Sequence, residues 1–254
     1  MGKNGLTIAG NWKMFKTSTE SAQFIRELKD KLKDANKVKV VICPPFSSIS
    51  VVKKELNNSK VFVGAQNCHW DEQGAYTGEI SARMLSDLGC EYVIIGHSER
   101  RNYFRETDEL INMKLKQALG EQLTPIFCVG ETWQEREAGN TEKIIETQLK
   151  KGLAGINNEE VAKIIVAYEP VWAIGSGKNA TPEQARQAHQ FIRKYLGELY
   201  GPGIAENTSI LYGGSVSPEN AKDLFEVPEI NGALVGGASL EADTFLKIIS
   251  AARN

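Results

Sequence analysis

Eight short apolar runs, most of them rich in β-branched residues, recur along the 254-residue chain with helix-like segments between them. Most runs are continuously apolar rather than alternating, which is typical of parallel strands that are covered on both faces. They occupy residues 6–10, 38–43, 61–65, 92–96, 123–129, 164–169, 209–213 and 232–237. Eight such units without a linker-like break predict an α/β fold, a closed (β/α)8 barrel formed as a single domain by residues 1–254, rather than an open doubly wound sheet.

Two of the helix-like segments carry the same start signal. Thr181 is placed to cap a helix whose first residue is Pro182 and which ends near Gly201. Ser217 and Pro218 repeat this pair one unit later. We therefore predict that Ser217 caps a helix in the same way as Thr181.

Charge and cysteine content limit the classes of protein to consider. A formal net charge of −2 gives no electrostatic reason to expect a nucleic-acid or anionic-membrane partner. No apolar stretch reaches membrane-spanning length, and the amino terminus has no signal-peptide pattern. The four cysteines are widely spaced, as expected for buried thiols in a reducing compartment: Cys43, Cys68, Cys90 and Cys128. These features predict a soluble cytoplasmic protein.

Polar residues and glycines collect at the carboxyl end of almost every predicted strand. In a parallel barrel these ends meet at one rim, where active sites lie. The residues are Asn11 and Lys13, Gln66 and Asn67, His97 with Ser98 and Glu99, Glu169, Gly213 with Gly214 and Ser215, and Gly236 with Gly237. We therefore expect an active site at this rim.

Glu169 ends the sixth run, and Pro170 favours extended backbone at the residue before it. A carboxylate at an apolar mouth is a good general base if water is excluded. The segment that follows is glycine-rich and nearly uncharged, as a closing flap would be. The alternative is a solvated acid that caps a strand, and spacing alone leaves both open.

His97 and Lys13 each have a functional and a structural interpretation. A lone histidine is more often structural, but Ser98 and Glu99 crowd the same loop, which favours function. Lys13 follows the first strand, where it would hold a substrate anion or form a Schiff base. An ordinary surface lysine is the alternative.

Two glycine pairs suggest the kind of ligand. Gly213–Gly214 with Ser215, and Gly236–Gly237, follow the seventh and eighth runs. Glycines let backbone N–H groups approach an anion, and these two loops are the usual phosphate site of barrels. Either pair alone could be a turn, but two in successive units favour phosphate.

Other site types have weaker support. The segment "AIGSGKN" lacks a phosphate-loop pattern, since Trp172 takes the place of the first glycine and Asn179 that of the hydroxyl residue. No Gly-x-Gly-x-x-Gly follows the first strand. His69, His97 and His189 lack metal-ligand spacing. We therefore expect chemistry that needs neither a metal nor a cofactor.

Eight motifs, taken together and in order, resemble the triosephosphate isomerase family across nearly the whole chain. They are GNWKM, GAQN, YTGEIS, GHSERR, CVGE, AYEPVWAIGSGK, YGGSV and LVGGASL. The resemblance implies the TIM-barrel fold. It also implies interconversion of dihydroxyacetone phosphate and D-glyceraldehyde 3-phosphate, a step of glycolysis and gluconeogenesis, by metal-free proton transfer through an enediolate.

The resemblance also implies residue roles. Glu169 would be the base, and His97 would polarise the carbonyl oxygens as a neutral imidazole. Lys13 would stabilise the enediolate and the phosphate dianion. Asn11 would bind substrate oxygens, while Glu99 would orient the cluster. Backbone N–H groups would hold the phosphate near Gly175, Ser215, Gly236 and Gly237.

Residues 170–180 would form the lid that the family closes over its substrate. Ser176 and Asn179 stand where we would expect threonine more often, so they bear on the rate of lid motion rather than on the reaction. Residues 68–79 resemble the loop through which the family forms homodimers. Thr77 would then reach the neighbouring subunit's Asn11 and Lys13.

Two rivals remain at this stage. One is a Schiff-base aldolase on a phosphate-binding barrel, with Lys13 as its nucleophile. The other is a non-catalytic barrel retained for binding. The second predicts a damaged rim, yet Asn11, Lys13, His97, Glu99 and Glu169 are all present.

Overall fold

The computed structural model describes residues 5–32, 38–174 and 180–252. Eight parallel strands pair in chain order, and the first also pairs with the last, which closes the barrel. They are β1 Leu6–Asn11, β2 Val38–Cys43, β3 Val61–Ala65, β4 Tyr92–Ile95, β5 Thr124–Val129, β6 Ile165–Tyr168, β7 Ile210–Tyr212 and β8 Gly232–Val235. The predicted barrel is confirmed, and each strand lies within its predicted run or extends past it by one residue.

Helices surround the barrel. Within the described ranges they are α1 Ser18–Lys31, α2 Ile49–Glu55, α3 Ala82–Asp87, α4 Ser98–Tyr103, α5 Asp108–Gly120, α6 Trp133–Glu137, α7 Thr141–Gly152, α8 Asn158–Val161, α9 Pro182–Tyr200, α10 Pro202–Asn207, α11 Ala221–Phe225 and α12 Ala242–Ala251. Short 3-10 turns occupy Phe46–Ser48, Val171–Ala173 and Gly237–Ser239. No helix in the described parts of the chain is long and apolar enough to cross a membrane.

The predicted start of α9 is confirmed. The Thr181 side chain accepts a hydrogen bond from the backbone N–H of Gln184, which needs a partner at a helix start. Pro182 is the first helical residue, and the chain leaves the helix at Gly201, whose φ is +88°. This left-handed value favours glycine at that position.

The prediction that Ser217 caps a helix is wrong. The helix α11 begins at Ala221, and Ser217 and Pro218 precede it. The Asn220 side chain accepts from the Ser217 N–H and donates to the Ser215 carbonyl, at 2.8 and 3.0 Å. Residues 218–220 form a turn, and the helix begins after it with Asn220 as its cap residue.

The core has two layers, which explains why the strand sequences are continuously apolar. In β2, Val41 and Cys43 belong to the cluster inside the barrel, while Val40 and Ile42 belong to the larger cluster between strands and helices. Both faces of a strand therefore need apolar side chains. All four cysteines are buried and free, as predicted.

Candidate active site

A cavity of about 510 Å³ opens at the carboxyl end of the strands. The predicted residues that line it come from five different strand ends: Asn11, Lys13, His97, Glu169, Ser215, Gly236 and Gly237. A larger hollow of about 1130 Å³ lies at the opposite end, around Lys39, Lys53 and Lys60, and contains none of them. We assign the chemistry to the smaller cavity, because it gathers the buried titratable side chains of His97 and Glu169.

Glu169 follows β6, and its buried carboxylate is held at both oxygens. Its Oε1 lies 3.0 Å from His97 Nε2, and its Oε2 accepts the backbone N–H of Ser98 at 2.8 Å. Burial raises the pKa of Glu169, but His97, the Ser98 N–H and Lys13 together outweigh burial, so this pKa lies below its ordinary value. The carboxylate is therefore stabilised as an anion in this arrangement.

His97 caps the amino end of α4. The backbone N–H of Glu99 donates to His97 Nδ1 at 3.2 Å, so the neutral ring carries its proton on Nε2, facing Glu169. Burial lowers the pKa of His97, whereas the Glu169 and Glu99 carboxylates raise it and together prevail. The position of the proton is thus set by one backbone contact and one carboxylate.

Lys13 completes a row of charged groups. Its Nζ donates to Glu99 Oε1 at 2.7 Å, and its backbone N–H donates to the Asn11 side chain at 3.0 Å. Glu99 Oε2 lies 3.6 Å from His97 Nδ1. The order Lys13, Glu99, His97, Glu169 places a cation at one end of the row and a carboxylate at the other.

Next to Lys13, the two glycine loops expose bare backbone. A Cβ on Gly236 would lie 3.3 Å from Lys13 Cε, whereas a Cβ on Gly237 would meet nothing within 4 Å. A Cβ on Gly214 would overlap the Tyr212 hydroxyl at 2.2 Å. Glycine is thus required at position 214. The Lys13 side chain lies beside the unobstructed backbone of Gly236 and Gly237, which suits a phosphate group.

Sequence reasoning assigned no role to Glu131, which is fully buried behind the flap. Its carboxylate accepts from the Tyr168 hydroxyl at 3.1 Å, from Trp172 Nε1 at 2.9 Å and from Arg136 Nη1 at 3.1 Å. Its carbonyl accepts from the Val171 N–H. Glu131 thereby fixes the start of the flap, and the available signal was an acid two residues after the end of the fifth run.

Three predicted residues of the flap lie outside the described residues: Gly175, Ser176 and Asn179. Thr77 is exposed on the loop after β3, and its contact with a second subunit stays a prediction. In the part of the chain that the structure describes, no group of three or more His, Cys, Asp or Glu is arranged to hold a metal ion.

The sequence comparisons identify which phosphate-binding barrel this is. The family model described as triosephosphate isomerase matches residues 6–252. The chain belongs to the triosephosphate isomerase family. A triosephosphate isomerase from Carboxydothermus hydrogenoformans is 56% identical over 242 residues, which cover 95% of this chain and 96% of that protein. The triosephosphate isomerase from Geobacter metallireducens is 54% identical over 243 residues, which cover 96% of this chain and 97% of that protein. The resemblance inferred from the motifs is confirmed.

Proposed function

We propose that this chain interconverts dihydroxyacetone phosphate and D-glyceraldehyde 3-phosphate, the aldose–ketose isomerisation of glycolysis and gluconeogenesis. Membership of the triosephosphate isomerase family supports the reaction and its phosphorylated triose substrate. The observation that carries the mechanism is the row of Lys13, Glu99, His97 and Glu169 beside bare glycine backbone in one cavity.

Glu169 acts as the base that moves a proton between the two carbons of the substrate. Both of its oxygens are engaged by His97 and by the Ser98 N–H, so the carboxylate must leave these donors to reach a substrate carbon. Losing two donors inside a cavity that excludes water makes a carboxylate more basic. The base is therefore weak in the empty site and becomes strong when the substrate is enclosed.

His97 and Lys13 stabilise the negative charge that forms on the substrate oxygens. When Glu169 moves away, the Nε2–H of His97 is released, and a neutral imidazole can donate it to the carbonyl oxygen. Lys13 supplies a positive charge for the enediolate and the phosphate, and Glu99 and Asn11 hold it in place. Asn11 also binds the substrate oxygens.

The phosphate is held by backbone N–H groups near Ser215, Gly236 and Gly237, with Gly175 of the lid completing the site. Glu131 anchors the start of residues 170–180, so the lid moves about a fixed end. A closed lid keeps water from the enediolate phosphate, which would otherwise lose its phosphate group. The proposed reaction uses neither a metal ion nor a cofactor.

The chain acts as a cytoplasmic homodimer in this proposal, without a nucleic-acid or membrane partner. Exposed apolar side chains follow the first four strands, as expected of a covered interface: Met14, Phe15, Phe46, Tyr76, Tyr103 and Phe104. Met14 is 95% exposed and lies directly beside Lys13 in the chain. A second subunit covering this face would bring its Thr77 towards Asn11 and Lys13.

The rival readings fit the geometry less well. A Schiff-base nucleophile needs a free amine, whereas Lys13 Nζ is ion-paired with Glu99. A binding-only barrel would have no use for a buried glutamate held by a histidine.

In the deciding experiment, purified protein is incubated with dihydroxyacetone phosphate and a chelator, and the formation of glyceraldehyde 3-phosphate is followed. No conversion by folded protein would overturn the proposal, and borohydride trapping of Lys13 would favour the aldolase.

A further inference from the structure

Lys13 has an unusual backbone conformation for a residue with a side chain. Its φ is +52°, in the left-handed region that non-glycine residues rarely occupy. Such a conformation persists only where the surroundings hold it in place. A change of φ at this residue would redirect the whole side chain, and with it the ammonium group that lies 2.7 Å from Glu99 Oε1.

The peptide groups on both sides of Lys13 are held by amide side chains. Its N–H donates to Asn11 Oδ1, and its carbonyl accepts from Gln66 Nε2 at 2.9 Å. The second Nε2 hydrogen of Gln66 goes to the Cys43 carbonyl, also at 2.9 Å. The same Cys43 carbonyl accepts from the Trp12 N–H at 3.1 Å. Gln66, directly after β3, therefore ties the Lys13 carbonyl to the end of β2.

We propose that Gln66 is a positioning residue, which acts on the reaction by holding Lys13 in its left-handed conformation. The inference rests on the proposed function of the cavity. The Nε2 of Gln66 has two hydrogens and can therefore donate to two carbonyls at once. The glutamine side chain is long enough to reach both carbonyls from the end of β3. A side chain of the same length without donors would leave the Lys13 carbonyl without this partner and the Cys43 carbonyl with only the Trp12 N–H, and would free Lys13 to adopt the common right-handed region.

The test replaces Gln66 by methionine, which has a similar length and no donor. We expect kcat/KM of Gln66→Met to fall between about tenfold and about 100-fold, since a displacement of about 1 Å can cost that much. In a Lys13→Met background the same substitution should lower kcat/KM by less than about twofold, because the group through which Gln66 acts is already gone.

Asn112 offers a matched control far from the cavity. Its Nδ2 also donates to two carbonyls, those of Gly152 and Ala154, at 2.7 and 2.9 Å. Asn112→Leu should lower the melting temperature much as Gln66→Met does, yet keep kcat/KM within about twofold of wild type. An Asn112→Leu variant that loses as much activity as Gln66→Met would show that the loss reflects general destabilisation and overturn the proposal.

A crystal structure of Gln66→Met separates this inference from the proposed function, because it needs no activity. We expect Lys13 to leave the left-handed region or its Nζ to leave Glu99. If Lys13 keeps both, or if Gln66→Met has wild-type kcat/KM, or if its loss persists in the Lys13→Met background, Gln66 does not position Lys13. If the wild-type protein is inactive, the proposed function fails and the crystal structure still decides the role of Gln66.

Discussion

Gly213 allows the most direct test of where Glu169 must lie. It follows β7, and a Cβ there would be 2.8 Å from Glu169 Cγ and 3.1 Å from the Tyr168 carbonyl oxygen. Carbon atoms in good contact are about 3.5–4.0 Å apart, so Gly213→Ala forces the Glu169 side chain to shift by about 0.7 Å or more. Gly213 does not have a positive φ, so no left-handed backbone opposes alanine at this position.

This shift should lower catalysis far more than stability. A displacement of about 1 Å at a reacting group can cost about 100-fold, so we expect kcat/KM of Gly213→Ala to fall between about tenfold and about 100-fold. That corresponds to about 1.4–2.7 kcal/mol of lost transition-state stabilisation. The added methyl group does not remove the hydrogen bond from the Gly213 N–H to the Tyr168 carbonyl, 2.7 Å long, although its Cβ would lie close to that carbonyl oxygen.

Steady-state kinetics in both directions, with thermal unfolding alongside, would measure the effect. Gly197→Ala is the control, because its added Cβ meets only Ala205 Cβ at 3.5 Å, an ordinary contact between α9 and α10. It should keep wild-type kinetics and gain up to about 1 kcal/mol of helix stability. A folded Gly213→Ala protein with wild-type kcat/KM would refute the claim that the Glu169 side chain needs the space beside Gly213 for the reaction.

Two further predictions concern stability and assembly. Burial lowers the pKa of His189 to about 3, against about 6.5 in an unfolded chain. Below about pH 6.5 the unfolded chain thus binds a proton that the folded chain does not. The free energy of unfolding is therefore not reduced by His189 above about pH 6.5, and it falls by up to about 1.4 kcal/mol per pH unit as the pH is lowered towards 3. The free energy of unfolding of His189→Asn, measured in urea, should decline less steeply with falling pH than that of the wild type. Equal slopes in the two proteins would contradict the assignment of this decline to His189. Sedimentation should show a particle of twice the chain mass that Thr77→Arg dissociates with loss of activity; a fully active wild-type monomer would contradict the dimer.

The sequence predicted the barrel well because each strand is short and buried on both faces. The continuous run "VKVVIC" matches β2, Val38–Cys43, at both ends. The Ser217 cap failed because Asn220, which also binds the Ser215 carbonyl, holds a turn before the helix and is itself the cap residue of α11. Local sequence patterns therefore predicted the structure correctly where packing in the barrel favours the same structure. They failed where hydrogen bonds from a side chain to the backbone favour a turn.

For the site, the sequence predicted which residues meet but not how they are held. The rule that strand ends share a rim brought Lys13, His97 and Glu169 together, and the motifs supplied their roles. The left-handed backbone of Lys13, the tautomer of His97 and the buried place of Glu131 depend on contacts between residues far apart in the chain. Periodicity and motif spacing carry no information about such contacts.

The central claim is that Glu169 is the base of a metal-free isomerisation, and one comparison tests it most directly. Wild type and Glu169→Gln would be given dihydroxyacetone phosphate in the presence of a chelator, and the formation of glyceraldehyde 3-phosphate followed. We predict rapid conversion by the wild type and a rate lower by at least about 10²–10⁴-fold in Glu169→Gln, whose fold is unchanged. Near wild-type turnover by a folded, contamination-free Glu169→Gln protein would contradict the account.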